Sequence, residues 1–386
     1  MQMRRTLWLP AMLALTSFTA FGCGAGHKVA GAGLSSAELR GASALAAGGP
    51  AASGAVYTMT NATAGNAVLA FPRSADGALG APASYATGGA GTGAGLGNQG
   101  GLALGTGNRW LFVVNAGSND VSVFRVGPSG LTLTDREPSG GTLPISVTAD
   151  HDVVYVLNAG GAGNIQGFHV SPAGALTAIA GSNRPLSSAS AGPAQIGFTP
   201  DGDALIVTEK ATNTLSLYRV GADGAASGPE THASSGATPF GFGFDQTRTL
   251  VVSEAFGGAP GASAVSSYRV AGGDVSLVSG SVHTGQTAAC WIAVTANGRY
   301  AFTTNAGSAN IAGYAVGAGG VLTKLDGVTA TGAGPSEMAL TNGSRFLYAL
   351  AGRANEIDAF AVAADGSLAR VAVAGVPGGV NGVVAR

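Results

Sequence analysis

From residue 55 onward the chain repeats one pattern of apolar and polar positions. Runs such as "LFVVN" (111–115) and "YVLN" (155–158) are continuously apolar, whereas the runs that follow them, such as "VSVFRV" (121–126), alternate with period two. Continuous runs of this length fit strands covered on both faces, and alternation fits a strand with one face toward the core. Gly, Asn or Asp stands at nearly every break, as in "TPDGD" (199–203) and "TANGR" (295–299), and these are residue types that tight turns favour. Each unit thus predicts four short strands: an apolar one, a stronger apolar one, an alternating one and a weaker outer one.

The ends of the second strands fall at Asn61, Asn115, Asn158, Glu209, Glu254, Asn305 and Ala351, 43 to 54 residues apart. That is the period of propeller blades, and seven positions predict seven blades. The first unit begins at its second strand, and the chain ends on "GVNGVVAR" (379–386), which reads as a lone first strand. Closing the first blade with the last strand removes a sheet edge that would otherwise invite pairing with other chains. The expected fold is all-β, a seven-bladed β-propeller over residues 55–386 closed by a C-terminal strand that completes the first blade.

Three stretches carry a family resemblance: "FTPDGDALIVTEKATNTLSLYRVGADG" (198–224), "VTANGRYAFTTNAGSANIAGYAVGAGGVL" (294–322) and "RFLYALAGRANEIDAFAVAADGSL" (345–368). They resemble the seven-bladed lactonase-type propellers, the family of bacterial 6-phosphogluconolactonase and fungal carboxymuconate cyclase. The resemblance implies a His, an Arg and a Glu at the channel mouth, at places that correspond here to Ala194, Phe240 and Glu254. Of the three, Glu254 alone keeps the family's residue type.

In a propeller, second-strand ends and first-strand starts share one face around the central channel. Glu209 and Glu254, on adjacent blades, are therefore expected at one mouth, near Gln99, Gln195, Phe240, Trp291 and Glu337, with Asn115, Asn158 and Asn305 completing the ring. A channel mouth lined in this way is where a small ligand would bind. Asn at a strand end bonds nearby backbone N–H groups, whereas Glu does so less well and costs more to desolvate. The two carboxylates are accordingly candidate catalytic groups, with Gln195, Trp291, Asn305 and Lys210 as ligand-binding candidates; Lys210 could alternatively neutralise Glu209 in a structural ion pair. Trp291 offers a ring for stacking on a sugar or another cyclic ligand. Of the five histidines, His27 falls in the N-terminal stretch, His151 in a turn and His169 on an outer strand. His232 and His283 precede first strands, and His283 is the one within reach of the mouth.

Composition narrows the function classes. With 10% charged residues and a formal charge of -1, the chain lacks the clustered Lys and Arg that a phosphate-backbone surface needs, which argues against nucleic acid. There is no zinc-spaced Cys/His set and no phosphate-cradling GxxxxGK. No resident metal or cofactor is expected, calcium being the one cation that converging carboxylate and amide oxygens would suit. Residues 86–101, "ATGGAGTGAGLGNQGG", read as a long low-complexity loop within the folded region.

The N-terminus "MQMRRTLWLPAMLALTSFTAFGC" has a basic start, an apolar run from Leu7 to about Ala20 and small residues before Cys23, the plan of a secretory signal over residues 1–22. "AFGC" resembles a lipobox, which would make Cys23 a lipid-attachment site and residues 23–54 a flexible tether. Cys290 is the one other cysteine, so an acylated Cys23 implies a mature chain without an internal disulfide. The expectation is an exported monomer of the periplasm or cell envelope, touching the membrane through the anchor alone. Two functions remain open: a lactone hydrolase acting at the mouth on a lactone or sugar derivative, and a propeller that binds a ligand or protein without catalysis.

Overall fold

A computed structural model describes residues 52–386, so the expected signal, the greater part of the tether and Cys23 lie outside the described residues. The strands, β1 (Gly54–Met59) through β30 (Asn381–Ala385), form seven separate antiparallel sheets. Blade 4 is typical, with β13 (Pro193–Phe198), β14 (Ala204–Glu209), β15 (Thr214–Val220) and β16 (Ala226–Ala233) paired in sequence order from the axis outward. Blade 1 differs, because its inner strand is β30, which pairs antiparallel with β1 through Met59 and Asn381 and through Tyr57 and Val384. The ring closes as the pattern predicted.

Burial explains the two strand grammars. Second strands such as 110–115 and 300–305 are buried at every position, sandwiched between neighbouring blades, which is why their apolar runs are unbroken. Outer strands such as 274–283 are largely uncovered, and their sequences are correspondingly polar. Blades meet through apolar clusters: Val56, Leu69 and Phe71 of blade 1 pack against Tyr348, Leu350 and Ile357 of blade 7, with Val383 from the closing strand. Each fully buried side chain of this size contributes about 1.5–3 kcal/mol.

A repeated backbone device feeds the chain into each new blade. The residue before the inner strand is left-handed at Leu143 (φ 54), Gly192 (φ 58), Thr238 (φ 60), Ala288 (φ 58) and Gly334 (φ 64). Glycine takes this conformation freely at two of the five; the other three hold it because the strands on either side over-determine the turn. Among the described residues no helix is long and apolar enough to cross a membrane.

Candidate functional site

The glycine-rich tract is the long loop expected, and its last residues, 97–101, run into the axial channel. The inner strand of blade 2 is cut to Leu102–Leu104, and residues 97–101 leave it to reach the other six blades. Gln99 N–H donates to Ala194 O of blade 4 (3.0 Å), and Val147 N–H of blade 3 donates to Gly100 O (2.8 Å). Asn381 Nδ2 of blade 1 donates to Asn98 Oδ1 (3.1 Å), Trp291 Nε1 of blade 6 to Asn98 O (2.6 Å), and Gly100 N–H to Glu337 Oε1 of blade 7 (2.8 Å). At blade 5 a Cβ on Gly241 would fall on Gln99 Oε1, so glycine is required for the close approach. The segment is an ordered plug, hydrogen-bonded to blades 1, 3, 4, 6 and 7 and in close contact with blade 5 at Gly241.

Two glutamines act as matched clamps. Gln195 Nε2 donates to Phe242 O (3.1 Å) while its Oε1 accepts from Phe242 N–H (2.7 Å). Gln99 does the same to Ile292 from inside the channel, at 2.7 and 3.0 Å. Gln195 and Trp291, expected to face a ligand, are therefore engaged by the protein itself; Trp291 is buried, edge-to-face on Phe240 at 5.1 Å. Lys210 does not pair with Glu209. Its Nζ donates to Gly97 O (2.5 Å) and Pro193 O (3.0 Å) above the Phe240 ring (4.8 Å), and burial lowers its pKa to about 8.

Glu209 and Glu254 end equivalent strands on one face, as expected, but their carboxylates turn outward along the blades. Glu209 accepts from Ser187 N–H (3.1 Å), Ser187 Oγ, Thr212 Oγ1 (3.1 Å) and Ser216 Oγ (2.8 Å). Glu254 accepts from Gly236 N–H (2.8 Å), Ser266 Oγ (2.5 Å) and Ser281 Oγ (2.7 Å). Ser187 and Gly236 lie on the connections arriving from the preceding blade, and Ser216 and Ser266 lie on third strands. Each carboxylate thus pins the incoming connection to its own blade.

Asn115 performs the same task with Thr87 Oγ1 (2.8 Å) and Ser122 Oγ (2.8 Å), and Asn158 with Ser139 O (3.0 Å). In blade 7, where the slot holds Ala351, Asp358 replaces it by accepting from Gly332 N–H (2.7 Å). Asn305, expected to bind a ligand, is fully buried and donates to Asn310 Oδ1 (2.8 Å). Carboxylates already facing fixed backbone N–H donors do not present the lone pairs a calcium ion needs. Among the described residues no three His, Cys, Asp or Glu side chains gather around a common point. His283 is exposed, its ring tilted beside Phe256 at 6.2 Å.

Glu337 is a carboxylate with unused capacity in the channel. It is buried against the plug, its Oε2 has no hydrogen-bond partner, and burial raises its pKa to about 8 despite the N–H donors of Gly100 and Val383. Its place at the start of a first strand was legible in the sequence, but its isolation was not, because that depends on the plug. Cys290 is buried beside Phe240 and Trp291, its Sγ 3.1 Å from Ala288 O.

These features define a seven-bladed β-propeller with an occupied axial channel. Residues 265–384, from the third strand of blade 5 to the closing strand, match the family model described as "Lactonase, 7-bladed beta-propeller". No curated protein matches its sequence. A putative 6-phosphogluconolactonase of Bacteroides fragilis is 19% identical, with 88% of this chain and 99% of that one covered and a TM-score of 0.65. The periplasmic gluconolactonase of Pseudomonas aeruginosa is 17% identical, with 85% and 98% covered and a TM-score of 0.67. At these identities the likeness is one of fold.

Proposed function

We propose that the protein is an exported lactonase-family propeller that works as a binding module and does not hydrolyse lactones with the family's acid–base groups. The observation that carries this reading is the plug at residues 97–101, bonded to the channel walls where a substrate would have to sit. It is supported by Ala194 and Phe240 standing where the family has His and Arg, and by the full set of donors that already occupies Glu209 and Glu254. A panel of lactones, including gluconolactones, assayed with and without calcium tests it. No turnover is expected. Turnover that disappears in Glu254→Gln while the melt is unchanged would overturn the proposal.

One observation favours the second reading, hydrolysis. Glu337 keeps an unpartnered carboxylate oxygen at the axis, and a carboxyl titrating near neutrality suits a general base once the plug moves aside. Lactone turnover lost specifically in Glu337→Gln would support it. Export rests on the signal plan of residues 1–22, and the Pseudomonas neighbour is itself described as periplasmic. Anchoring through Cys23 is tested by Cys23→Ala, which should release the protein from the membrane fraction; full retention would refute the anchor.

A further inference from the structure

On the face opposite the plugged mouth, the seam where blade 7 meets blade 1 holds a cleft of about 260 Å³. Its walls bring together Arg73, Arg345 and Arg386 with Ser53, Thr341 and Phe346. Two guanidiniums lie over the Phe346 ring, Arg73 at 5.7 Å and Arg345 at 5.2 Å from the ring centre. Among the described residues none of the three arginines pairs with an Asp or Glu side chain, whereas Arg136, Arg219, Arg248 and Arg370 do.

Their donors are unevenly used. Arg73 is buried and spends three N–H groups on backbone carbonyls, those of Ser53 (3.0 Å), Ser74 (3.2 Å) and Arg386 (3.3 Å). Arg386 donates from Nε to the Tyr57 hydroxyl (3.0 Å), which leaves its two terminal nitrogens without a protein acceptor. Arg345 is exposed, and among the described residues its guanidinium has no hydrogen-bond partner. The acid on the adjoining turn, Asp76, is engaged by Ser74 Oγ and Ala78 N–H, and those bonds hold its carboxyl below the usual range. The cleft thus concentrates positive charge on forks whose planar geometry matches a tetrahedral oxyanion.

We propose that this seam cleft is a binding site for a phosphate group, gripped by Arg345 and Arg386 over a platform fixed by Arg73 and Phe346. Ser53, next to the first described residue, lines the cleft, so a protein tethered from its N-terminus would hold this face near lipid headgroups. A phosphate could therefore come from solution or from a phosphomonoester headgroup, and two arms separate these sources. The full chain is titrated with inorganic phosphate by calorimetry at low ionic strength, where exposed charges are least screened. The full-length Cys23→Ala chain, which has no acyl anchor, is floated with phosphatidylcholine vesicles with and without phosphatidic acid.

Saturable binding of inorganic phosphate that weakens about ten-fold in Arg345→Ala, as expected for loss of a charge-assisted fork, supports the site with a soluble ligand. Flotation that needs phosphatidic acid and fails in Arg345→Ala supports it with a headgroup ligand. Among the described residues the Arg345 side chain makes no hydrogen bond, and its main-chain bond from Val362 N–H survives truncation, so its replacement should leave the melt nearly unchanged; Arg386→Ala provides a second variant. Absence of binding in both arms, or binding that both variants retain at full strength, overturns the proposal.

Discussion

Replacing Glu209 or Glu254 should destabilise the ring, and by an amount that depends on the replacement. Glu209 accepts four hydrogen bonds and Glu254 three, all inside the blade. In Glu209→Ala the Ser187 N–H and the Ser216 hydroxyl lose their acceptor while remaining covered, and each stranded buried donor costs about 1–3 kcal/mol. With the cavity left behind, the loss should total about 3–5 kcal/mol. In a domain this large that corresponds to a fall in Tm of roughly 4–7 °C. Glu209→Gln keeps the shape; its amide oxygen can face Ser187 N–H while its NH2 faces hydroxyls free to rotate and accept. The change exchanges charge-assisted bonds for neutral ones at about 1 kcal/mol. Thermal melts followed by circular dichroism measure the ordering, parent above Gln above Ala, at both positions. If the Ala variants melt with the parent and instead lose lactone turnover or calcium binding, the carboxylates serve a ligand and the pinning argument fails.

Stability should also report on the channel. Glu337 has a folded pKa raised to about 8, so the folded chain holds a proton that the unfolded chain releases near pH 4.5. This contribution is present in full below pH 4.5 and is lost as pH rises toward 8, so the denaturation midpoint should fall across that window in the parent and much less in Glu337→Gln. An equal slope in both proteins would refute the assignment. Lys210 acts above that range: with a folded pKa near 8 and an ordinary value of 10.5, it should make stability rise between pH 8 and 10.5, an effect that Lys210→Met removes. Deleting Val380–Arg386 strips Val380, Val383 and Ala385 from the core between blades 1 and 7 and bares the edge of β1. The whole ring should lose its cooperative melt, and a truncated protein melting like the parent would contradict closure. Gly241→Ala should expel the plug or unfold the ring, because the added methyl falls on Gln99 Oε1 and Cys290 O; an unchanged melt with slow exchange at Gln99 would refute the close approach.

The architecture was legible because it is written in local rules. Turn residues fix the strand breaks, unbroken apolar runs mark strands between blades, and the lone strand at 379–386 has no partner except the first unit. Side-chain direction was harder to read. Position alone puts Glu209 and Glu254 at the mouth, yet they turn away because hydroxyls wait for them on third strands. A trace of that exists in the sequence, since Ser122 follows Asn115, and Ser216 follows Glu209, at the same interval of seven residues. The plug was least legible. Its glycines have the composition of a solvated loop, and the order comes wholly from partners on other blades, such as Ala194, Trp291 and Glu337.

The central claim is that residues 97–101 fill the channel as permanent structure. Amide hydrogen exchange on peptides spanning this segment tests it most directly, because the N–H groups of Gln99 and Gly100 are bonded to Ala194 O and Glu337 Oε1 inside the ring. Protection equal to that of the inner strands 193–198 and 335–340 is the predicted result; exchange as fast as that of exposed turns would contradict it.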